Sequence, residues 1–155
     1  MKRTRFKING LWKQYVAEKD WVLIDLLRDT LHLTGTKQSC DWKGQCDACM
    51  VLVNGEAVRS CLTKVKNLEG AEIITIEGLG TPNNPHLIQE AFALTGAVQC
   101  GYCSPGMIMS TKELLDRNSD PTIEEIKKGI SGNLCRCTGY AKIIEAIQQA
   151  AKSLE

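Results

Sequence analysis

Cys40-Asp41-Trp42-Lys43-Gly44-Gln45-Cys46-Asp47-Ala48-Cys49-Met50-Val51-Leu52-Val53-Asn54-Gly55-Glu56-Ala57-Val58-Arg59-Ser60-Cys61 is the stretch on which the first half of the chain turns. Its second part predicts a β-hairpin, because Met50-Val51-Leu52-Val53 and Glu56-Ala57-Val58 flank Asn54-Gly55, and Asn-Gly readily takes the two positive φ values of a type I′ turn. The same pair recurs upstream as Asn9-Gly10, between Arg5-Phe6-Lys7-Ile8 and Leu11-Trp12-Lys13-Gln14-Tyr15-Val16. Between the hairpins, Val22 to Leu31 places Val22, Leu23, Leu26, Leu27 and Leu31 on one helical face. A late strand, Ile73-Ile74-Thr75-Ile76, completes a small sheet with one helix.

The turn-rich connector Gly78-Leu79-Gly80-Thr81-Pro82-Asn83-Asn84-Pro85 ends this half, and the composition then shifts to helix formers. The boundary is placed there, giving domains 1–79 and 80–155. Four helices are expected at roughly 86–95, 105–117, 123–130 and 140–153. Ser104-Pro105 predicts an N-cap with proline at the first helical position, and Thr122 with Glu125 a capping box. Ile143, Ile144, Ala146, Ile147, Ala150 and Ala151 recur at three- and four-residue steps, so the last helix should bury one stripe against other helices.

The 155 residues, 43% of them hydrophobic, suffice to bury a core. Nineteen basic and eighteen acidic residues give a formal charge of +1 with no long run of one sign, which argues against nucleic acid or a membrane surface as partner. Met1-Lys2-Arg3-Thr4-Arg5 is basic, but Asn9, Gly10, Lys13 and Gln14 interrupt the apolar run an export signal needs, so a cytoplasmic location is expected. The sequence contains no G-x-G-x-x-G, no P-loop and no nucleophile with a partner base.

The eight cysteines, about 5% of the chain, fall short of the more than ~8% of a disulfide scaffold, and in a reducing compartment they point to metal or redox chemistry. They divide into Cys40, Cys46, Cys49 and Cys61, spaced C-x5-C-x2-C-x11-C, and Cys100, Cys103, Cys135 and Cys137, spaced C-x2-C-x31-C-x1-C. Four thiolates, two to each iron, are what a [2Fe-2S] cluster requires, and a plant-type ferredoxin takes three from one loop and the fourth from later in the chain. Four thiolates also bind zinc, but zinc knuckles favour two to four residues between paired ligands, and Cys135-Arg136-Cys137 has one. On pattern alone Gln99 satisfies backbone groups at a helix end. His32, His86, Trp12 and Trp21 read as packing or surface residues, and Trp42 as a possible shield over the first cluster loop.

Gln99-Cys100-Gly101-Tyr102-Cys103-Ser104-Pro105-Gly106 and Gly132-Asn133-Leu134-Cys135-Arg136-Cys137-Thr138-Gly139-Tyr140 resemble the two signature segments of the iron-sulfur subunits of the xanthine dehydrogenase and aldehyde oxidoreductase family of molybdenum hydroxylases. Thr34-Gly35-Thr36-Lys37-Gln38 and the loop from Cys46 to Cys49 resemble the family's ferredoxin-like motif. The resemblance implies an α+β fold, a β-grasp ferredoxin-like domain followed by a four-helix bundle, with a [2Fe-2S] cluster in each. It also implies a large molybdopterin-binding subunit and a medium FAD-binding subunit as partners, in a hetero-oligomer such as a dimer of heterotrimers. This chain would relay electrons from the molybdopterin to the flavin, and the complex would oxidise an N-heterocycle, purines included, or an aldehyde. Gln99 and Cys137 match positions that approach the pterin.

Against the pattern that the resemblance implies there are two departures, one of spacing and one of residue. Five residues rather than four separate Cys40 from Cys46, which a bulge in the loop can absorb, and Asp47 stands where the family usually has glycine. Asp tolerates a left-handed backbone better than most residues, but an anion beside an anionic cluster is expected to lower its potential or loosen it.

Overall fold

The computed structural model describes residues 2–17 and 20–154; Met1, which opens the basic start, lies outside them. Strands β1 (Lys2–Ile8) and β2 (Leu11–Ala17) pair antiparallel and close on Asn9 and Gly10, with φ of 47° and 86°. Strands β3 (Met50–Val53) and β4 (Glu56–Arg59) close in the same way on Asn54 and Gly55, with φ of 52° and 83°. Both turns have the two positive φ values that Asn-Gly predicts. Strand β5 (Glu72–Ile74) lies parallel to β1 and antiparallel to β3, giving a mixed five-stranded sheet in the order β2-β1-β5-β3-β4.

β5 stops short of the expected end at Ile76. The Thr75 N–H donates to Asn9 Oδ1 at 2.9 Å and its hydroxyl to Glu77 at 2.6 Å, so the chain turns out of the sheet there. Ile76 instead begins the short helix α2 (Ile76–Leu79), and both Ile76 and Leu79 pack against the core of the second half.

The helix expected over Val22–Leu31 is a single turn, α1 (Leu23–Asp25), running into a π turn at Leu26–Thr30, where the Leu31 N–H donates to the Leu26 carbonyl at 3.0 Å. Leu23, Leu26 and Leu27 join Phe6, Ile8, Val51 and Ile73 in the first core. Ile24, outside the predicted face, is also buried and lies against Cys49 and Cys61. The segment is covered on both sides, by the sheet and by the cysteine loop, and a one-sided stripe could not reveal that.

Helices α3 (Leu87–Leu94), α4 (Ser104–Arg117), α5 (Ile123–Gly129) and α6 (Ala141–Leu154) follow at the expected positions. They enclose a second core of Ile88, Phe92, Met107, Leu115, Ile126 and Ile143, with Ala146, Ile147, Ala150 and Ala151 of the α6 stripe. The fold is α+β. The Thr122–Glu125 box forms, the Thr122 N–H donating to Glu125 at 2.7 Å and the Glu125 N–H to the Thr122 hydroxyl at 3.3 Å. Ser104 proves to be the first residue of α4 rather than its cap; Cys103 stands at the cap position with no side-chain bond to the helix. His86, read as an isolated residue, caps α3 through Nδ1, which accepts from Ile88 N–H at 3.2 Å.

Candidate metal centres

The loop from Cys40 to Cys46 absorbs its fifth residue by left-handed backbone at Asp41, Trp42 and Gly44, with φ of 51°, 59° and 65°. Trp42 Nε1 donates to Asp25 Oδ1 at 3.1 Å, tying the loop to α1, while the ring stays half exposed. Gly44, at a φ of 65°, holds a left-handed turn that strains other residues, and a Cβ there would also push the Leu62 side chain aside, standing 2.5 Å from its Cδ1. β3 and β4 carry Cys49 and Cys61 to the same place, and the Ser60 hydroxyl and N–H both donate to the Cys49 carbonyl, at 2.7 and 3.3 Å. Cys46, Cys49 and Cys61 are buried, and Cys40 is half buried.

Within this quartet the thiols adjoin in pairs, Cys40 with Cys46 and Cys49 with Cys61. Burial works to raise Cys40, but N–H donation from Gln45, at 3.4 Å, the Cys46 thiol, and the N–H groups of Cys46 and Lys43 outweigh it and hold the thiol at about 7. Burial pushes Cys46 up, and it pushes Cys61 to about 12 with the neighbouring Cys49 thiol adding to the effect. Metal binding must therefore displace protons from this nest, and the thiolates it leaves gain a cation in exchange.

The second quartet forms where the start of α4 meets the turn before α6. Gly101, with φ of 81°, lets Cys100 and Cys103 bracket a tight bend, and Gly139 and Tyr140, with φ of 65° and 70°, turn the chain after Cys137. The Tyr140 hydroxyl accepts from the Cys135 N–H and donates to the Asn133 carbonyl, both at 2.9 Å, locking the turn. Thr138 Oγ1 lies 3.0 Å from Cys135 Sγ. Burial opposes ionisation of Cys135, but the Thr138 hydroxyl and N–H outweigh it and lower this thiol, whereas burial and the Cys135 thiol push Cys103 to about 12. Cys103 adjoins Cys135, and Cys100 adjoins Cys137. All four thiols line one cavity of about 200 Å³, shared with Tyr102, Leu134 and Arg136. Cys100 and Cys137 are exposed in its lining, and Gln99, the neighbour of Cys100 in sequence, is exposed as well.

Among the described residues, no three histidine, cysteine or carboxylate groups are placed to share one metal ion. The thiols stand two and two in each quartet, the grouping that a bridged pair of irons takes up. The donor set and its pairing thus fit a [2Fe-2S] cluster at each site.

The quartets meet across the two halves. The Leu134 N–H donates to the Cys46 carbonyl at 3.1 Å, Asn133 Nδ2 to the Asp47 carbonyl at 3.2 Å, and the Tyr102 hydroxyl to the Gln38 carbonyl. Asp47 takes a φ of 52°, as its glycine-like position requires, but its carboxylate is not left beside the thiols uncompensated: Arg59 grips it with two nitrogens, Nη2 reaching Oδ2 at 3.2 Å. Sequence reasoning missed this pair, which closes across the hairpin with no local signal. It also missed Thr138 and Tyr140, which lay in the quoted segment but whose roles need the turn to be seen.

A sheet half and a helical half, each with a cysteine quartet, define a two-centre [2Fe-2S] protein. Residues 6–74 match the family described as 2Fe-2S iron-sulfur cluster binding domain, and residues 75–148 the [2Fe-2S] binding domain. The small FeS subunit of nicotinate dehydrogenase from Eubacterium barkeri is 47% identical over 145 residues, covering 94% of this chain and 92% of that subunit. The solved aldehyde oxidoreductase from Desulfovibrio gigas superposes with a TM-score of 0.95 at 43% identity over 99% of this chain, which spans only 17% of that longer one. Quinoline 2-oxidoreductase from Pseudomonas putida 86 gives a TM-score of 0.92 at 39% identity, covering 98% of this chain and 94% of the matched one. The chain belongs to the family of iron-sulfur subunits of the molybdenum hydroxylases and is a subunit type of oxidoreductase complexes.

Proposed function

We propose that Cys40, Cys46, Cys49 and Cys61 hold one [2Fe-2S] cluster and Cys100, Cys103, Cys135 and Cys137 the other. Bound there, the clusters supply one-electron chemistry, relaying electrons from a molybdopterin centre on a large subunit to FAD on a medium subunit. In this reading residues 1–79 form the ferredoxin-like domain, of β-grasp type, and residues 80–155 the helical domain, a four-helix bundle of α3 to α6. The observation that carries it is the convergence of four thiols separated by up to 37 positions in sequence on a single cavity.

The chain's own residues do the positioning. Gln45, Ser60 and Thr138 hold the thiols or the loops that bear them, and the Leu134 to Cys46 hydrogen bond keeps the quartets in register. Gln99, exposed beside Cys100 in sequence, and Cys137, exposed in the lining of the second cavity, are the residues that approach the pterin of the large subunit. Eight free thiols suit a reducing cytoplasm, and no helix among the described residues is long and apolar enough to cross a membrane. The complex, a hetero-oligomer, oxidises an N-heterocycle or an aldehyde; the likeness to nicotinate dehydrogenase, quinoline 2-oxidoreductase and aldehyde oxidoreductase supports both classes.

Purification of the native complex tests this. The expected result is about four irons per copy of this chain, two distinct EPR signals on reduction, and co-elution with molybdenum- and FAD-bearing chains. Zinc in place of iron, or a lone chain carrying both centres, would overturn it.

A further inference from the structure

Asp47, between Cys46 and Cys49, is met by Arg59, Gly132, Gly106 and Asn133. Its carboxylate is 7% exposed and is held by Arg59, whose own side chain is 44% exposed. At Gly132, three residues before Cys135, a Cβ would stand 2.0 Å from Asp47 Oδ2, 3.0 Å from its Cγ and 3.4 Å from Arg59 Nη2, so the carboxylate fills the space a side chain there would need. At Gly106, in the first turn of α4, a Cβ would stand 2.3 Å from the Asp47 carbonyl oxygen. That same carbonyl accepts from Asn133 Nδ2.

We infer that Asp47 and Arg59 act as one positioning unit, a neutral clasp that seats the Cys46–Cys49 loop on the Gly132–Cys135 segment and cancels the charge Asp47 adds beside the first centre. The inference rests on the cysteine assignment above and goes beyond it. Its physical content is that the two charges oppose each other at the cluster. Removing the cation alone leaves a buried carboxylate that disfavours the extra electron, and removing the anion alone does the reverse. A unit charge about 10 Å away in a medium of effective dielectric about 20 changes such an equilibrium by about tenfold. For a one-electron couple, tenfold is 59 mV.

The test is an EPR-monitored redox titration of the assembled complex, comparing the native protein with Arg59→Gln, Asp47→Asn and the double variant. Two signals in the native complex establish the cysteine assignment independently, and their absence would sink that assignment rather than the clasp. Arg59→Gln is expected to lower the midpoint of the first centre by about the tenfold equivalent, 59 mV. Asp47→Asn should raise it by at least as much, since the buried carboxylate is screened less by water than the partly solvated Arg59, and the double variant should return close to the native value. Unmoved midpoints, or shifts of the same sign in both single variants, would overturn the inference, because a merely structural pair changes stability without opposite signs in potential.

A steric pair keeps the test decisive should Arg59→Gln fail to fold. Gly132→Ala should sharply reduce recovery of complex carrying the second centre, and Asp47→Gly in the same chain should restore it. Equal damage from Gly132→Ala with and without Asp47 would refute the clasp.

Discussion

Cys46, Cys49 and Cys61 lie 8%, 1% and 2% exposed within the sheet half, whereas Cys100 and Cys137 stand open at the surface of the helical half and only Cys103 and Cys135 are partly covered. The first nest is made by long-range structure: a loop, two strands and the buried Ile24 close around it. The second is made by two tight turns propped against a helical core, with Tyr140 as the brace. The difference teaches that the fold of this chain by itself insulates most of the first quartet and leaves half of the second open at its surface.

The largest effects should come from the ligands themselves. Cys61→Ser and Cys137→Ser should each remove about two of about four irons and abolish one EPR signal while sparing the other. Loss of both signals from either change would mean that the quartets are not independent nests. In the chain freed of its partners, a chelator should bleach the second centre well before the first, and the order should be lost in the assembled complex. A first centre that bleaches equally fast would break the contrast in exposure.

The two cores allow a sharper comparison. Ile73→Ala and Ile147→Ala, both at fully buried positions, should each cost about 2–5 kcal/mol in denaturant unfolding. If each half supports its own centre, the first change should loosen the first cluster preferentially and the second change the second. Gly106→Ala should cost about 1–3 kcal/mol, because its Cβ would meet the backbone of the Cys46–Cys49 loop rather than a side chain that can move.

The smallest effect concerns acid. Glu125 is held below its ordinary value by N–H and hydroxyl donation from Thr122. A carboxylate with a depressed value contributes stability that is complete above its unfolded value, near pH 4.3, and fades as pH falls through the folded one. Glu125→Gln should therefore lower the melting temperature slightly at neutral pH, and the difference from the native protein should shrink below about pH 4. A difference that persists at lower pH would show that the box acts through something other than the Glu125 charge.

Much of the fold was legible because its signals are local. Asn9-Gly10 and Asn54-Gly55 encode their turns in two adjacent residues. Thr122 and Glu125 satisfy each other within one helical turn, and α6 announces its buried face by its own period. The strand end at Ile74 is not legible in sequence, because Ile76 has the character of a strand residue and it is Asn9, 66 residues before Thr75, that turns the chain away. His86 carried a cap signal, with Gln89 three residues on, but a histidine cap is uncommon enough to be overlooked.

The sequence by itself determined the division into two cysteine quartets, the turn chemistry of both hairpins and the helical nature of the second half. Each of these depends on residues within a few positions of one another or on the count and spacing of thiols. Only the tertiary structure decided which thiols adjoin, why Gly106 and Gly132 must lack side chains, and that Asp47 is answered by Arg59. Those are contacts between surfaces brought together by the burial of two separate cores, and no local pattern records them.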